Sequence, residues 1–203
     1  MTDFARLMSD YFVKYLAGQK GSGSNTMKTY RDTFVQLLEF MDEKKHIRAD
    51  CIEVDSFSYD IINEFLEYLE KEKRVSISTR NNRLAAIRSF FKYTGYHEPK
   101  YLNISTSIRE ISKKKTEGRQ MNYLSVNAME HFLNSFDKTD HKELRCFCIV
   151  LLLYESGARV TELCNVRRYD LHLEKPYTMI LHGKGDKIRS VPLDGLVADV
   201  ISN

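Results

Sequence analysis

The segment "YTMILHGKGDKIRSVPL", residues 177–193, decides the fold class because the hydrophobic periodicity changes there from 3.6 residues to two. Alternating polar and apolar residues flank a glycine-bracketed turn, which predicts an antiparallel hairpin with Lys184 at its tip. Lys187 and Arg189 place further positive charge just behind the tip. Most of the remaining chain has helical spacing, so the sequence predicts a mainly α protein whose second, mixed α/β domain contains a small antiparallel sheet.

The first part of the chain is predicted to be an all-helical domain, residues 1–112. Apolar residues recur at helical spacing in five segments, which are 3–16, 26–44, 58–72, 78–94 and 104–112. The stretch "SKKKTEGRQ" then has no apolar residue and predicts a basic interdomain linker, residues 113–120.

A second domain is predicted from residue 121 to residue 203. The stretch "KELRCFCIVLLLYESG" is apolar almost all round and predicts a central buried helix near 141–156, with Cys146 and Cys148 as small core residues. A short helix is expected over "ARVTELCNV", and a last helix begins near Asp194.

Bulk composition excludes several classes of protein. The longest apolar run, Cys146–Tyr154, is far shorter than the roughly 20 residues that cross a bilayer, and the start of the chain does not resemble a signal peptide. The four cysteines lack the paired spacing of a zinc site. We therefore expect a cytoplasmic protein without a membrane partner.

The fourth helix gives the clearest indication of a ligand. No acidic residue occurs from Lys73 to His97, and small, amide and basic side chains share the face opposite the apolar one. Such a face suits contact with phosphates or base edges of DNA, although a plain solvated surface produces a similar pattern. The predicted DNA-binding residues are Thr26, Lys28, Thr29, Arg31, Arg80, Asn81, Asn82, Arg83, Arg88, Lys92, Lys113, Lys114, Lys115, Lys187 and Arg189.

The second domain carries residues suited to phosphate chemistry. Arg159 opens a helix, where a guanidinium can hold two oxygens of one phosphate. Glu162, one turn later, can orient that guanidinium or cap the helix start. Lys184 can protonate a departing oxygen, but a tight turn with a solvated lysine explains "GKGD" equally well.

These segments resemble a known family. The stretches "YESGARVTELCNVRRYDLHL" and "ILHGKGDKIRSVPL" resemble the first half of the catalytic domain of tyrosine recombinases, the phage-integrase family. The stretches "NTMKTYRDTFVQLLEFM" and "SISTRNNRLAAIRSFFKYTG" resemble its helical, SAM-like core-binding domain. The resemblance covers nearly the whole chain, and the arginine motif is followed 25 positions later by the hairpin lysine.

The resemblance implies a role for each catalytic candidate. Arg159 would clamp the scissile phosphate, Glu162 would support that pocket, and Lys184 would be the general acid toward the leaving 5′ oxygen. The family acts on double-stranded DNA recombination sites through a 3′-phosphotyrosine bond, without a metal or nucleotide cofactor. Its two domains form a clamp on DNA, and other recombinase protomers are implied partners, with a tetramer assembled on DNA.

One feature departs from the family pattern. No histidine is followed three residues later by arginine, and Tyr169 and Tyr177 both precede the hairpin, where the nucleophile does not occur. We therefore expect a DNA-binding fragment that lacks the nucleophile. Two alternatives remain: a non-catalytic DNA-binding regulator or decoy, and a helical interaction domain without a nucleic-acid role.

Overall fold

The chain divides into two compact units in this computed structural model, which describes residues 1–116, 118, 122–183, 185 and 187–202. Unit 1 comprises Met1–Arg119 and unit 2 comprises Gln120–Asn203. Each unit has its own hydrophobic cluster of buried side chains. Of the predicted linker, residues 117, 119 and 120 lie outside the described residues.

Unit 1 is helical, as the sequence predicts. Its α-helices are α1 (Asp3–Asp10), α2 (Ser24–Lys45), α3 (Tyr59–Lys71), α4 (Ile77–His97) and α5 (Leu102–Glu110). The predictions for α2, α3 and α4 agree with the structure to within a few residues. Ser76 caps the start of α4, since its hydroxyl accepts the Thr79 N–H at 3.2 Å.

Two predicted helices of unit 1 differ from the structure. The predicted helix 3–16 is α-helical only to Asp10 and continues as a π-helical segment, Tyr11–Gln19. Tyr11 and Leu16, which lie five residues apart, are both fully buried, and the wider π turn suits that spacing. The predicted helix 104–112 is shifted to Leu102–Glu110, because a 3₁₀ turn opened by Pro99 starts it early.

Phe90 of α4 lies at the centre of the core of unit 1. It is fully buried, and its ring centroid is 5.3–5.5 Å from the rings of Phe4, Tyr11, Phe34 and Phe91. Interplanar angles of 71–76° make these contacts edge-to-face, the arrangement that aromatic quadrupoles prefer. The inner face of α4 thus joins α1, the π-helical segment and α2.

Unit 2 combines helices with the predicted hairpin. Its helices are α6 (Val126–Asn134), α7 (His141–Ser156), α8 (Val160–Leu163) and α9 (Gly195–Ser202), and its strands are β1 (Leu171–His172), β2 (Thr178–His182) and β3 (Ile188–Pro192). The strands form an antiparallel sheet in the order β1-β2-β3, with Leu181 opposite Arg189. The predicted change of periodicity after Tyr177 is therefore confirmed.

The prediction of a central buried helix over 141–156 is wrong for this chain. The bounds of α7 agree, but its only buried residue is Phe147, and Cys146, Ile149 and Tyr154 are exposed. The reason is that the described part of unit 2 packs against one side of α7 and leaves its other apolar sides uncovered. Within the described residues, no helix is long and apolar enough to cross a membrane.

We predict that Phe90→Ala lowers the free energy of unfolding of unit 1 by about 3–5 kcal/mol, because it removes a buried ring and leaves a cavity among four others. Chemical denaturation followed by circular dichroism measures the change. Tyr96→Ala is the matched control, since Tyr96 lies on the same helix with 76% of its surface exposed. Equal destabilisation by the two variants would contradict the central position of Phe90.

Candidate functional site

A buried carboxylate, that of Glu162, organises the candidate site of unit 2. Its side chain is 3% exposed, and its Oε1 accepts a hydrogen bond from Arg159 Nη1 at 2.7 Å. Its Oε2 accepts from Arg189 Nη2 at 2.8 Å and from the backbone N–H of Arg159 at 3.0 Å. The carboxylate therefore caps the start of α8 and orients a guanidinium at the same time.

The arginines determine the charge of this site. They hold the pKa of Glu162 at about 2, below its ordinary value of 4.5, and the hydrogen bond from Arg189 is the largest cause. Two guanidiniums around one carboxylate leave one net positive charge. Because 75% of the Arg159 side chain and 40% of that of Arg189 are exposed, both keep N–H donors available to an oxyanion.

The β2–β3 hairpin approaches the same carboxylate. A Cβ at Gly183 would lie 3.3 Å from Glu162 Oε1 and 3.2 Å from the Lys187 carbonyl oxygen, so the approach favours glycine. The Gly183 N–H donates to that carbonyl at 2.7 Å, and Gly185 has a φ of 74°, in the left-handed region. Lys184, the predicted general acid, lies outside the described residues.

Sequence reasoning missed a second buried carboxylate near the hairpin. Asp170 is 3% exposed, and its Oδ1 lies 3.1 Å from His182 Nε2 at the end of β2. Its Oδ2 accepts the Arg167 N–H at 2.8 Å, and this bond is the main reason why the pKa of Asp170 is lowered. An acidic residue three positions after a turn start is a known capping signal that could have identified it.

The predicted DNA-binding residues of unit 1 divide by exposure. Several of them are exposed, namely Lys28, Arg31, Asn82, Lys92, Lys113, Lys114 and Lys115. Thr26 and Thr29 are half-buried, and the Thr29 hydroxyl donates to the Asn25 carbonyl at 2.8 Å. In unit 2, Lys187 is exposed, while Arg189 is bound to Glu162.

The placement of Arg80 on an accessible surface is wrong. Arg80 is 5% exposed, its Nε lies 3.4 Å from Glu70 Oε1, and its Nη1 donates to the Ser112 carbonyl at 3.1 Å. Burial lowers the pKa of this guanidinium despite the nearby carboxylate. A helical wheel of α4 cannot show this, because the covering groups come from α3 and from the chain after α5.

Three other polar residues of α4 are also engaged inside unit 1. Arg83 Nη1 donates to the Thr29 carbonyl at 3.0 Å, which ties α4 to α2. Arg88 Nη2 donates to the Arg109 carbonyl of α5. The Asn81 amide is paired with the backbone of Lys114 at 2.8 and 3.1 Å. The basic residues of α4 thus fasten unit 1 together as well as giving it positive charge.

No group of metal ligands occurs among the residues that the structure describes. The exposed guanidiniums of Arg159 and Arg189 can donate hydrogen bonds to anionic oxygen. A phosphate group fits this donor set, because its oxygens accept several charged hydrogen bonds at once.

Comparison with known proteins places both units in one family. Residues 10–99 match the family model described as phage integrase, N-terminal SAM-like domain, and residues 122–203 match that of the phage integrase family. Tyrosine recombinase XerC of Staphylococcus aureus is 27% identical over 97% of this chain, and tyrosine recombinase XerD of Listeria innocua is 29% identical over 95% of it. The chain spans 62% of the length of each of these relatives.

Solved structures show the same fold. A site-specific recombinase, XerH, bound to a palindromic difH substrate superposes with a TM-score of 0.67 at 22% identity, covering 96% of this chain and 56% of that one. The Tn1549 transposon integrase in complex with transposon right end DNA gives a TM-score of 0.67 at 19% identity, covering 100% of this chain and 64% of that one. At these identities the likeness establishes the fold.

We predict that protonation of Glu162 in acid lowers the stability of unit 2. Because its folded pKa is about 2 against 4.5, its contribution is present above pH 4.5 and is lost as the pH falls toward 2. Thermal unfolding midpoints measured between about pH 2 and pH 6 should fall less steeply for Glu162→Gln than for the unchanged chain. The control is Glu174→Gln, an exposed carboxylate; identical pH curves for all three proteins would contradict the prediction.

Proposed function

Because the chain belongs to the phage integrase family of tyrosine recombinases, we propose that it acts in site-specific DNA recombination and binds the double-stranded DNA of a recombination site. Residues 1–112 are proposed as the core-binding domain, 113–120 as a linker, and 121–203 as the first part of a catalytic domain. The observation that carries the proposal is the exposed Arg159 guanidinium, held by a buried carboxylate next to a glycine-bracketed hairpin.

In the proposed reaction, the site of unit 2 receives the scissile phosphate. Arg159 and Arg189 would donate to its non-bridging oxygens, where negative charge increases in the transition state. Glu162 fixes both guanidiniums before the phosphate arrives, so binding does not have to order them. Lys184 is proposed to donate the proton to the leaving 5′ oxygen.

Unit 1 is proposed to bind the DNA backbone with its exposed cations rather than with the engaged arginines of α4. Lys28 and Arg31 lie on the first turns of α2, and Lys92 lies on the outer face of α4. Cations of this kind release counterions when they neutralise phosphates, which makes binding depend steeply on salt.

We predict that the triple variant Lys28→Ala, Arg31→Ala, Lys92→Ala binds duplex DNA with a weaker salt dependence. Each lost phosphate contact should reduce the slope of log K against log salt by about 1. Fluorescence anisotropy over a salt series measures the slope. The control triple variant is Lys14→Ala, Lys44→Ala, Lys71→Ala, whose lysines are exposed but paired with carboxylates at 2.7–2.9 Å, whereas Arg31 lies 3.8 Å from Asp32 Oδ1. Equal slopes for the two triple variants would rule out the proposed surface.

We also predict that the 203-residue chain alone forms no covalent adduct with DNA, including nicked suicide substrates. Arginine and lysine can stabilise charge and donate protons, but a covalent route also requires a positioned nucleophile. Incubation with a duplex site, followed by denaturing electrophoresis, checks this. An adduct at Tyr169 or Tyr177 would show that the assignment of roles is wrong.

A further inference from the structure

Unit 1 contains an open cleft of about 490 Å³ whose lining is strongly basic. Among the described residues that line it, five are cations and none is a carboxylate. The cations come from separate parts of unit 1. Lys20 follows the π-helical segment, Arg88 and Lys92 belong to α4, Arg109 belongs to α5, and Lys113 follows α5. This basic cleft lies within unit 1 and is distinct from the site around Glu162.

Directed donors accompany the positive charge of the basic cleft. The hydroxyl of Ser89, which lines the cleft, accepts a hydrogen bond from the buried Tyr11 hydroxyl at 2.8 Å. Burial raises the pKa of Tyr11. Because Tyr11 donates in this bond, the Ser89 proton is not used in it and can be donated to a ligand. Arg88 Nε is buried, and no described residue accepts from it.

The position of Lys113 depends on how the chain leaves α5. We call Ser112–Lys114 the exit segment. The Asn81 amide donates to the Lys114 carbonyl at 2.8 Å and accepts the Lys114 N–H at 3.1 Å. Arg80 donates to the Ser112 carbonyl at 3.1 Å, and Lys114 Nζ pairs with Glu70 at 2.7 Å. The residues on both sides of Lys113 are thus fastened to unit 1, while Lys113 itself lines the cleft.

These contacts matter energetically because the exit segment belongs to no helix or strand. Holding a residue in a single backbone conformation costs conformational entropy. Because the folded protein already holds the exit segment in place, a ligand binds without having to order the lysine. Asn81 makes both side-chain hydrogen bonds to the backbone of Lys114, so it contributes to holding Lys113 in place.

We infer that the basic cleft binds a phosphate group and that Asn81 is a positioning residue, which acts by holding Lys113 at the cleft. Under the proposed function, the phosphate belongs to the DNA backbone, and to that extent the inference rests on that function. A free phosphate compound has the same chemistry and is the other possible source. In either case Asn81 is not a reader of base edges, because its amide is occupied by the exit segment.

The test uses Lys113→Ala, Asn81→Ala and the double variant in the 203-residue chain. The controls are Lys71→Ala, which also removes one lysine, and Asn103→Ala, which removes an asparagine amide that is exposed. Binding of a duplex oligonucleotide is measured by fluorescence anisotropy, and binding of pyrophosphate is measured by titration calorimetry. Unfolding midpoints establish that every variant is folded, and amide hydrogen exchange at Lys114 reports whether the exit segment is held.

We expect each single variant to weaken binding by about tenfold, which is the loss of one charged hydrogen bond. Asn81→Ala should also speed exchange at Lys114. In the double variant, Asn81→Ala should add little to Lys113→Ala, because the amide acts through the lysine. A merely structural role of Asn81 would instead weaken binding equally in both backgrounds, and that result would overturn the positioning role.

The two probes distinguish the source of the phosphate. Weaker binding of the duplex alone, or of both probes, would assign the site to the DNA backbone, and weaker binding of pyrophosphate alone would assign it to a free phosphate. If Lys113→Ala binds both probes as tightly as Lys71→Ala does, the cleft is not a phosphate site. Salt-dependent binding of the duplex in that case would still support the proposed function. Absence of duplex binding by the unchanged chain would instead reject the proposed function.

Discussion

The buried carboxylate of Glu162 is the interaction on which unit 2 depends. Helix α8 is a single turn, and the fully buried residues packed behind the hairpin are few, so hydrophobic burial alone gives little to hold α8 against β3. The carboxylate joins them through Arg159 at 2.7 Å and Arg189 at 2.8 Å. A buried charge is tolerated only when it is paired and hydrogen-bonded, and here both oxygens are satisfied. The same bonds that stabilise the unit therefore also aim two guanidiniums at solvent.

Helix α4 likewise holds unit 1 together, but it does so with separate apolar and basic sides. Its apolar side centres the core on Phe90, while Arg83 and Arg88 bind carbonyl oxygens of α2 and α5. A carbonyl has no charge to cancel, so these bonds order the guanidiniums without removing the positive potential of the surface. The positive charge of α4 thus remains available for the proposed DNA binding, even though its arginines do not point freely at a phosphate.

The sequence predicts those features that follow from local periodicity and fails where distant segments meet. The hairpin was predictable because alternation over 177–193 is a short-range signal, and the capping of α8 by Glu162 follows from a spacing of three residues. The burial of Arg80 was not predictable, because Glu70 and Ser112 reach it from other parts of the chain. The exposure of α7 was not predicted, because an apolar pattern shows only that a helix can be buried. It does not show which other segments pack against that helix.

Both units use a polar side chain to hold a cation in place before any ligand arrives, and the two polar groups differ in a way that matters. Glu162 is charged, so it fixes Arg159 strongly but cancels one of two positive charges. Asn81 is neutral, so it holds the backbone of Lys114, next to Lys113, more weakly and cancels none. Strong fixation suits a site where donors must match a changing charge distribution to a fraction of an ångström. Retained charge suits a surface where attraction to a polyanion acts at longer range and geometry matters less. The carboxylate in unit 2 therefore suits the catalytic pocket proposed there, and the amide in unit 1 suits the proposed surface for the DNA backbone.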